Sequence, residues 1–182
     1  MAHTRILQIV CILIMPVLLF GQTTDEFVSL VIPEIALVAI EPNSGPVTFE
    51  VSITPIPGAG EFITDTDESR YLNYSCALNS ASSSRVLYAE LSSGSLPSGL
   101  LLQVELGPPV GIAEGQLANP VGPVELRSSP SIIGDGIRGA KTGSGPGTGH
   151  KLIYEIIVDD ENDIGLTSGS NPLVVTYTLA DD

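Results

Sequence analysis

Several kinds of side chain are scarce in this sequence, and each shortage narrows what the protein can do. Seven Lys and Arg residues stand against 21 Asp and Glu, giving a formal net charge of −14. We therefore expect no binding to nucleic acid or to anionic lipid, because the surface repels phosphate groups. Tryptophan is absent, which disfavours a sugar-cleaving cleft lined by aromatic platforms. The sequence has two histidines, His3 and His150. Few residues could therefore act as the base of a Ser-His-Asp type of catalytic triad.

Cysteine is also scarce, with Cys11 and Cys76 the two examples. Cys11 lies in a leader segment that we expect to be removed, so Cys76 has no intrachain partner and no disulfide is predicted. A buried thiol in a strand is the expected role of Cys76, because free cysteine behaves as a small apolar side chain. An intermolecular disulfide is the alternative.

The first 21 residues have the features of a secretory signal peptide. Arg5 supplies a positive charge, residues 6–20 are almost entirely apolar, and Gly21 is a small residue after which cleavage is expected. The apolar run of 15 residues is shorter than the roughly 20 that a membrane-spanning helix needs, and Pro16 interrupts it. We predict an exported protein located in the periplasm, at the cell surface or outside the cell, with no membrane span after cleavage.

Residues 22–182 are expected to form a single domain built from short strands, because helix signals are nearly absent. Apolar and polar residues alternate with the two-residue period of half-buried strands in segments 47–53, 100–106, 152–158 and 173–179. Further strands are predicted over 26–32, 35–40, 71–77, 85–91 and 124–127, with 71–77 and 85–91 paired through a Ser-rich turn. Gly and Pro separate these segments. We predict an all-β protein, an immunoglobulin-like antiparallel β-sandwich of about eight to ten strands.

A glycine-rich segment, Gly134 to Gly149, contains seven glycines. Its first six residues match the pattern G-x-G-x-x-G, but a phosphate-binding loop of that kind must lead into a helix. The later glycines and Pro146 prevent a helix from starting there. We expect a flexible surface loop, with His150 exposed at its end.

Acidic residues are the only candidates for a metal site. Asp159, Glu161 and Asp163 alternate, as oxygen ligands of calcium can do, and Asp65, Asp67 and Glu68 form a second group. The EF-hand pattern fails, because Ile164 and Ser170 stand where that loop has its glycine and its bidentate glutamate. A solvated acidic turn is the main expectation, with a weak calcium site in Asp159, Glu161 and Asp163 as the alternative.

Five tyrosines could form a sugar-stacking face, but their alternation within strands favours core or half-buried positions. They are Tyr71, Tyr74, Tyr88, Tyr154 and Tyr177.

The order of several short motifs resembles a group of uncharacterised secreted bacterial β-sandwich proteins. These motifs are residues 31–42, 72–75, 84–86, 95–102, 152–154 and 173–179. The chain is also similar in style to the W-x-L surface domain and to fimbrial subunits. The two W-x-L motifs would fall on Tyr154-Glu155-Ile156 and Tyr177-Thr178-Leu179, with Tyr in place of Trp in both and Ile in place of Leu in the first. The resemblance implies an immunoglobulin-like sandwich exposed at a cell surface.

The expected function is that of a non-enzymatic, exported structural or adhesive module of the cell envelope, with no catalytic residues and no cofactor. Partners would be other envelope or surface proteins, or further copies joined by strand pairing. The candidate strand donors are residues 25–32 and 173–179. The alternative is an extracellular module that binds carbohydrate or calcium through the glycine-rich segment or the acidic turn.

Overall fold

All regular structure in the described residues is β-strand. The computed structural model of the protein describes residues 33–43, 45–49, 65–78, 83–158 and 170–182. The predicted signal peptide, the predicted strand over 26–32 and the candidate calcium ligands Asp159, Glu161 and Asp163 lie outside these residues. Among the described residues there is no helix long and apolar enough to cross a bilayer.

Ten strands occur in the described residues. They are β1 (Ile35–Glu41), β2 (Asp65–Ala77), β3 (Arg85–Ser93), β4 (Leu100–Val110), β5 (Glu114–Gln116), β6 (Asn119–Pro120), β7 (Val124–Glu125), β8 (Ser131–Lys141), β9 (Gly149–Val158) and β10 (Val174–Asp181). The all-β class and the expected strand number are therefore confirmed, while the immunoglobulin-like subtype stays a prediction.

Every pairing between these strands is antiparallel, and hydrogen-bonded neighbours follow the order β10-β3-β8-β2-β9-β4-β7. Strand β1 pairs with β2, and the short β5 and β6 pair with β8. Strand β8 joins two parts of the sheet. Its first residues pair with β3 and β6, whereas its end pairs with β2 and β5.

The hydrophobic core is one cluster of buried side chains that come from both parts of the sheet. Alternate residues of β2, β4 and β9 face it from one part, as the two-residue period requires. From the other part come side chains of β3 and β8, including Leu87, Ala89, Ile133 and Ile137. Each fully buried Leu or Ile contributes roughly 1.5–3 kcal/mol. The Tyr177 hydroxyl in β10 donates to the Tyr154 hydroxyl in β9 at 2.6 Å, which links two strands that are not neighbours in the sheet.

Several predictions from the sequence are confirmed at the level of single residues. Cys76 is buried in β2, which disfavours an intermolecular disulfide. All five tyrosines are buried or half-buried. The segments 100–106 and 152–158 lie in β4 and β9, and the alternate positions from 100 to 106 and from 152 to 156 belong to the core or pack against it, whereas Val158 does not.

The expectation of a flexible loop over Gly134 to Gly149 is wrong. Residues 134–141 belong to β8, and Gly149 begins β9, so the connection is residues 142–148 only. Glycine is used at position 134 because a Cβ there would lie 2.8 Å from a methyl carbon of Leu106. Close packing of β8 on β4 therefore outweighs the low strand propensity of glycine.

Two further expectations are corrected. His150 is completely buried in β9, not exposed at the end of a loop. Strands β2 and β3 do not form a hairpin, because β8 lies between them in the sheet.

A further strand was predicted over residues 47–53. Of this segment, Val47 to Phe49 are described and do not form a strand, and the remainder lies outside the described residues. Phe49 instead packs the edge of its ring on Tyr154, with centroids 6.4 Å apart.

The Gly149→Ala variant is expected to lose about 3 kcal/mol or more of unfolding free energy. Gly149 has φ of +90°, and a Cβ would lie 2.2 Å from Asn73 Oδ1 and 2.4 Å from Leu72 O. The matched control is Gly147→Ala, at φ of +77° with nothing within 4 Å of the added carbon. This control should lose only about 1 kcal/mol, the cost of the backbone conformation alone. Equal losses in urea unfolding of the two variants would contradict the packing of Gly149.

Candidate functional site at strand β1

Strand β1 is held by two buried arginines, one at each end. Arg85, only 5% exposed, donates through Nε to Asp181 at 2.9 Å, through Nη2 to Glu34 at 2.8 Å, and through Nη1 to Ile35 O. Arg70, also buried, donates to Pro42 O and, at 2.6 Å, to Gly45 O. A buried guanidinium needs several acceptors to offset its lost hydration, and here they come from residues at either end of β1.

The two faces of β1 have different surroundings. Val38 and Ile40 are half-buried and pack on the core, whereas Leu37 on the opposite face is 64% exposed. Leu37 lies opposite Ser75 of β2, and Ser75 lies opposite Lys141 of β8. Because serine is short, it leaves most of the Leu37 side chain uncovered.

A shallow, open groove runs along this part of β1. Its lining consists of residues 73–75 of β2, residues 143–145 of the β8–β9 connection, and Leu37, Val38, Ala39 and Glu41 of β1. We call this the β1 groove. Because two of its three loop residues are glycines, few side chains occupy the groove on that side.

Asn73 holds the loop side of the β1 groove in place. Its side chain is 5% exposed, and Nδ2 donates to Gly145 O at 3.2 Å. Thr148 Oγ1 lies 2.9 Å from the same carbonyl oxygen and 3.2 Å from Asn73 Oδ1. Thr142 adds a backbone bond to Tyr74 O at 3.1 Å. The connection is thus fixed by hydrogen bonds, although its composition predicts flexibility.

On the other face of β2, the neighbouring Tyr74 takes part in a buried polar network. His150 Nδ1 lies 2.9 Å from Gly107 O, and His150 Nε2 lies 3.2 Å from the Tyr74 hydroxyl. Because a carbonyl can only accept, Nδ1 carries the proton, and Nε2 accepts from Tyr74. The Tyr74 oxygen in turn accepts the N–H of Ala118 at 2.8 Å.

Burial changes the acidity of both side chains in this network. Loss of solvent raises the pKa of Tyr74 to about 12, although the hydrogen bond from Ala118 lowers it in part. Loss of solvent also lowers the pKa of His150 below its ordinary 6.5, opposed by the bond to Gly107. Both groups are therefore neutral near pH 7, and their hydrogen-bonding atoms are used within the fold.

The acidic residues at the start of β2 have structural partners. Asp67 accepts the backbone N–H and the hydroxyl of Ser69 at 3.0 and 2.8 Å, and Glu68 binds Lys151 at 2.9 Å. In the described part of the chain, no three His, Cys, Asp or Glu side chains are grouped to hold a metal ion. The groove and the two arginines were not anticipated from the sequence, which gives no local signal of which strand lies at an edge.

Comparison of the chain with protein-family models, with curated proteins and with solved structures gives no match.

The pH dependence of stability provides a test of the buried imidazole. Since the pKa of His150 is lowered in the folded state, the unfolded chain takes up a proton first as the pH falls below 6.5. The unfolding free energy should therefore fall between about pH 7 and pH 5, with a slope of up to about 1.4 kcal/mol per pH unit from this group. The His150→Gln variant, measured by urea unfolding across the same range, should show a clearly smaller slope. The same slope in both proteins would show that His150 is not the cause.

Removal of the Tyr74 hydroxyl should destabilise the fold. In Tyr74→Phe, the N–H of Ala118 and Nε2 of His150 lose their shared partner inside the core. We expect a loss of about 1–3 kcal/mol, the usual effect of leaving a buried polar group unsatisfied. Tyr71→Phe, at a half-buried position in the same strand, should change the stability by less than about 0.5 kcal/mol. Thermal or urea unfolding that gives the same loss for both variants would argue against the network.

Proposed function

We propose that the protein is a non-enzymatic, exported structural or adhesive module of the cell envelope or surface, and that it meets its partner through β1. The observation that carries the proposal is the edge position of β1. Within the described residues β1 pairs with β2 alone, and it presents Leu37 to solvent. An edge strand offers backbone N–H and C=O groups to another chain, so it is a natural site of protein association.

The positions of the buried polar groups favour a binding function over a catalytic one. His150 and Tyr74 are the residues best suited to proton transfer, and both are inside the core. Each is bonded to neighbours that also belong to the core or its connections. A general base needs contact with a substrate, and these two side chains instead stabilise the packing of strands.

The C-terminal strand is a poorer candidate for donation to another copy. Strand β10 pairs with β3 from Val174 to Asp181, and Asp181 also binds Arg85 at 2.9 Å. Release of β10 would break that ladder and leave part of the core uncovered, because Tyr177 and Leu179 pack there. The other candidate donor, residues 25–32, lies outside the described residues.

Localisation and attachment test the proposal in the native cell. An antibody raised against the purified protein should label intact cells, and protease added outside should remove the signal. A deletion strain should attach less to its natural surface or to neighbouring cells than the parent, and the wild-type gene should restore attachment. An antibody against a cytoplasmic protein serves as the control for leakage. Protein confined to the cytoplasmic fraction would refute the proposal.

A further inference from the structure

We infer that the first half of β1, together with the preceding Glu34, separates from β2 while the rest of the fold stays intact, and that Arg85 controls this opening. We call this segment, residues 34–37, the β1 strap. Its opening is a conformational property that the proposed function does not require. Three features support it: the strap contributes little to the core, its release leaves no buried charge without a partner, and the second half of β1 has its own anchor.

The β1 strap buries little apolar surface. Ile35, Ala36 and Leu37 are all exposed, whereas Val38 and Ile40 in the second half of the strand are half-buried. Within the described residues, Val38 and Ile40 are the side chains of β1 that pack against the core. Because burial of apolar surface is the main source of stability, a segment with so little of it opens at a lower cost than the strands of the core.

Arg85 provides the side-chain link between the β1 strap and the rest of the fold. Its Nη2 donates to Glu34 at 2.8 Å and its Nη1 donates to Ile35 O, while its Nε donates to Asp181 of β10 at 2.9 Å. When the strap separates, the first two bonds are lost and the bond to Asp181 stays. The guanidinium, which is 5% exposed in the closed state, also gains water on the side that the strap covered. Opening therefore avoids an unpaired buried charge, which would be strongly destabilising.

The second half of β1 is anchored separately. Arg70 donates to Pro42 O and to Gly45 O, just after the end of the strand. Together with the packing of Val38 and Ile40 on the core, these bonds keep the second half of β1 against β2. The strap therefore separates from its N-terminal end, and the opening stops near Val38.

The thiol of Cys76 reports the opening. Ala36 in the β1 strap lies opposite Cys76 of β2 in the strand register, so the two side chains are on the same face of the sheet. Cys76 is a free thiol and is 6% exposed in the closed state. Separation of the strap uncovers the edge of β2 beside Cys76, and the thiol then becomes accessible to a reagent in solution.

Alkylation of Cys76 in the native protein tests the inference. Purified protein is incubated with excess iodoacetamide at urea concentrations below the unfolding transition, and mass spectrometry follows the peptide that contains Cys76. The rate of alkylation should be nearly independent of urea, because local opening exposes little surface. No alkylation, or a rate that rises with urea as steeply as global unfolding does, would overturn the inference.

Two matched substitutions test the control by Arg85. Glu34→Gln removes a charged acceptor that belongs to the β1 strap, so alkylation of Cys76 should become about tenfold faster. The control is Glu125→Gln in β7, which removes the carboxylate that binds Arg127 at 2.6 Å. Because this second ion pair has no contact with the strap, its loss should change the rate by less than about twofold.

The Asp181→Asn variant tests whether the strap or β10 is the element that moves. Arg85 binds Asp181 in both the closed and the open state, so a weaker bond should change the alkylation rate of Cys76 by less than about twofold. A larger acceleration than that of Glu34→Gln would show that β10 opens instead. Equal rates for Glu34→Gln and Glu125→Gln would show that Arg85 does not control the opening. Either result would overturn the inference.

Discussion

The fold depends on the Tyr74 hydroxyl, which joins two parts of the chain that are not neighbours in the sheet. It donates toward His150 in β9 and accepts from Ala118, between β5 and β6. A shift of β2 by one residue would turn Tyr74 out of the core and leave both partners without their bond. The network therefore specifies the register of β2 as well as contributing to stability, since buried polar groups tolerate few alternative arrangements.

The same short stretch of β2 also shapes the surface. Asn73 and Tyr74 are consecutive, so their side chains point to opposite faces of the strand. Tyr74 orders the core, whereas Asn73 orders the connection that borders the β1 groove. The position of β2 therefore determines both the shape of the β1 groove and the packing of the core. Arg70, from the same strand, extends this coupling to the residues after β1.

The strands with strict alternation could be predicted from the sequence, because burial of one face leaves a two-residue period. Strands β4 and β9 are clear examples, because every second residue from 100 to 106 and from 152 to 156 belongs to the core or packs against it. Strand β8 could not be predicted, since its three glycines give no pattern of hydrophobicity and the close approach of Gly134 to Leu106 and Ala118 depends on the tertiary fold. The burial of His150 was missed for a related reason. Its partners, Gly107 and Tyr74, are distant in the sequence and are brought near only by strand pairing.

The β1 groove was likewise beyond sequence reasoning. Leu37 has the same alternation as a core residue, and its exposure follows from the edge position of β1 and the small size of Ser75. Buried arginines are also rare enough that Arg70 and Arg85 would ordinarily be placed at the surface. Their partners are mostly backbone carbonyls or acidic groups of the segments that flank β1, and such pairings cannot be read from local composition.

The hydrogen bonds of Arg85 have a consequence for how the fold would respond to a stretching force. One guanidinium binds Glu34 and Ile35, before and at the start of β1, and Asp181, at the end of β10. A pull applied between residues 33 and 182 would load these bonds before it reached the strands of the core. The hydrogen bonds of one side chain would thus be the first to resist stretching, and the force would be divided among its acceptors.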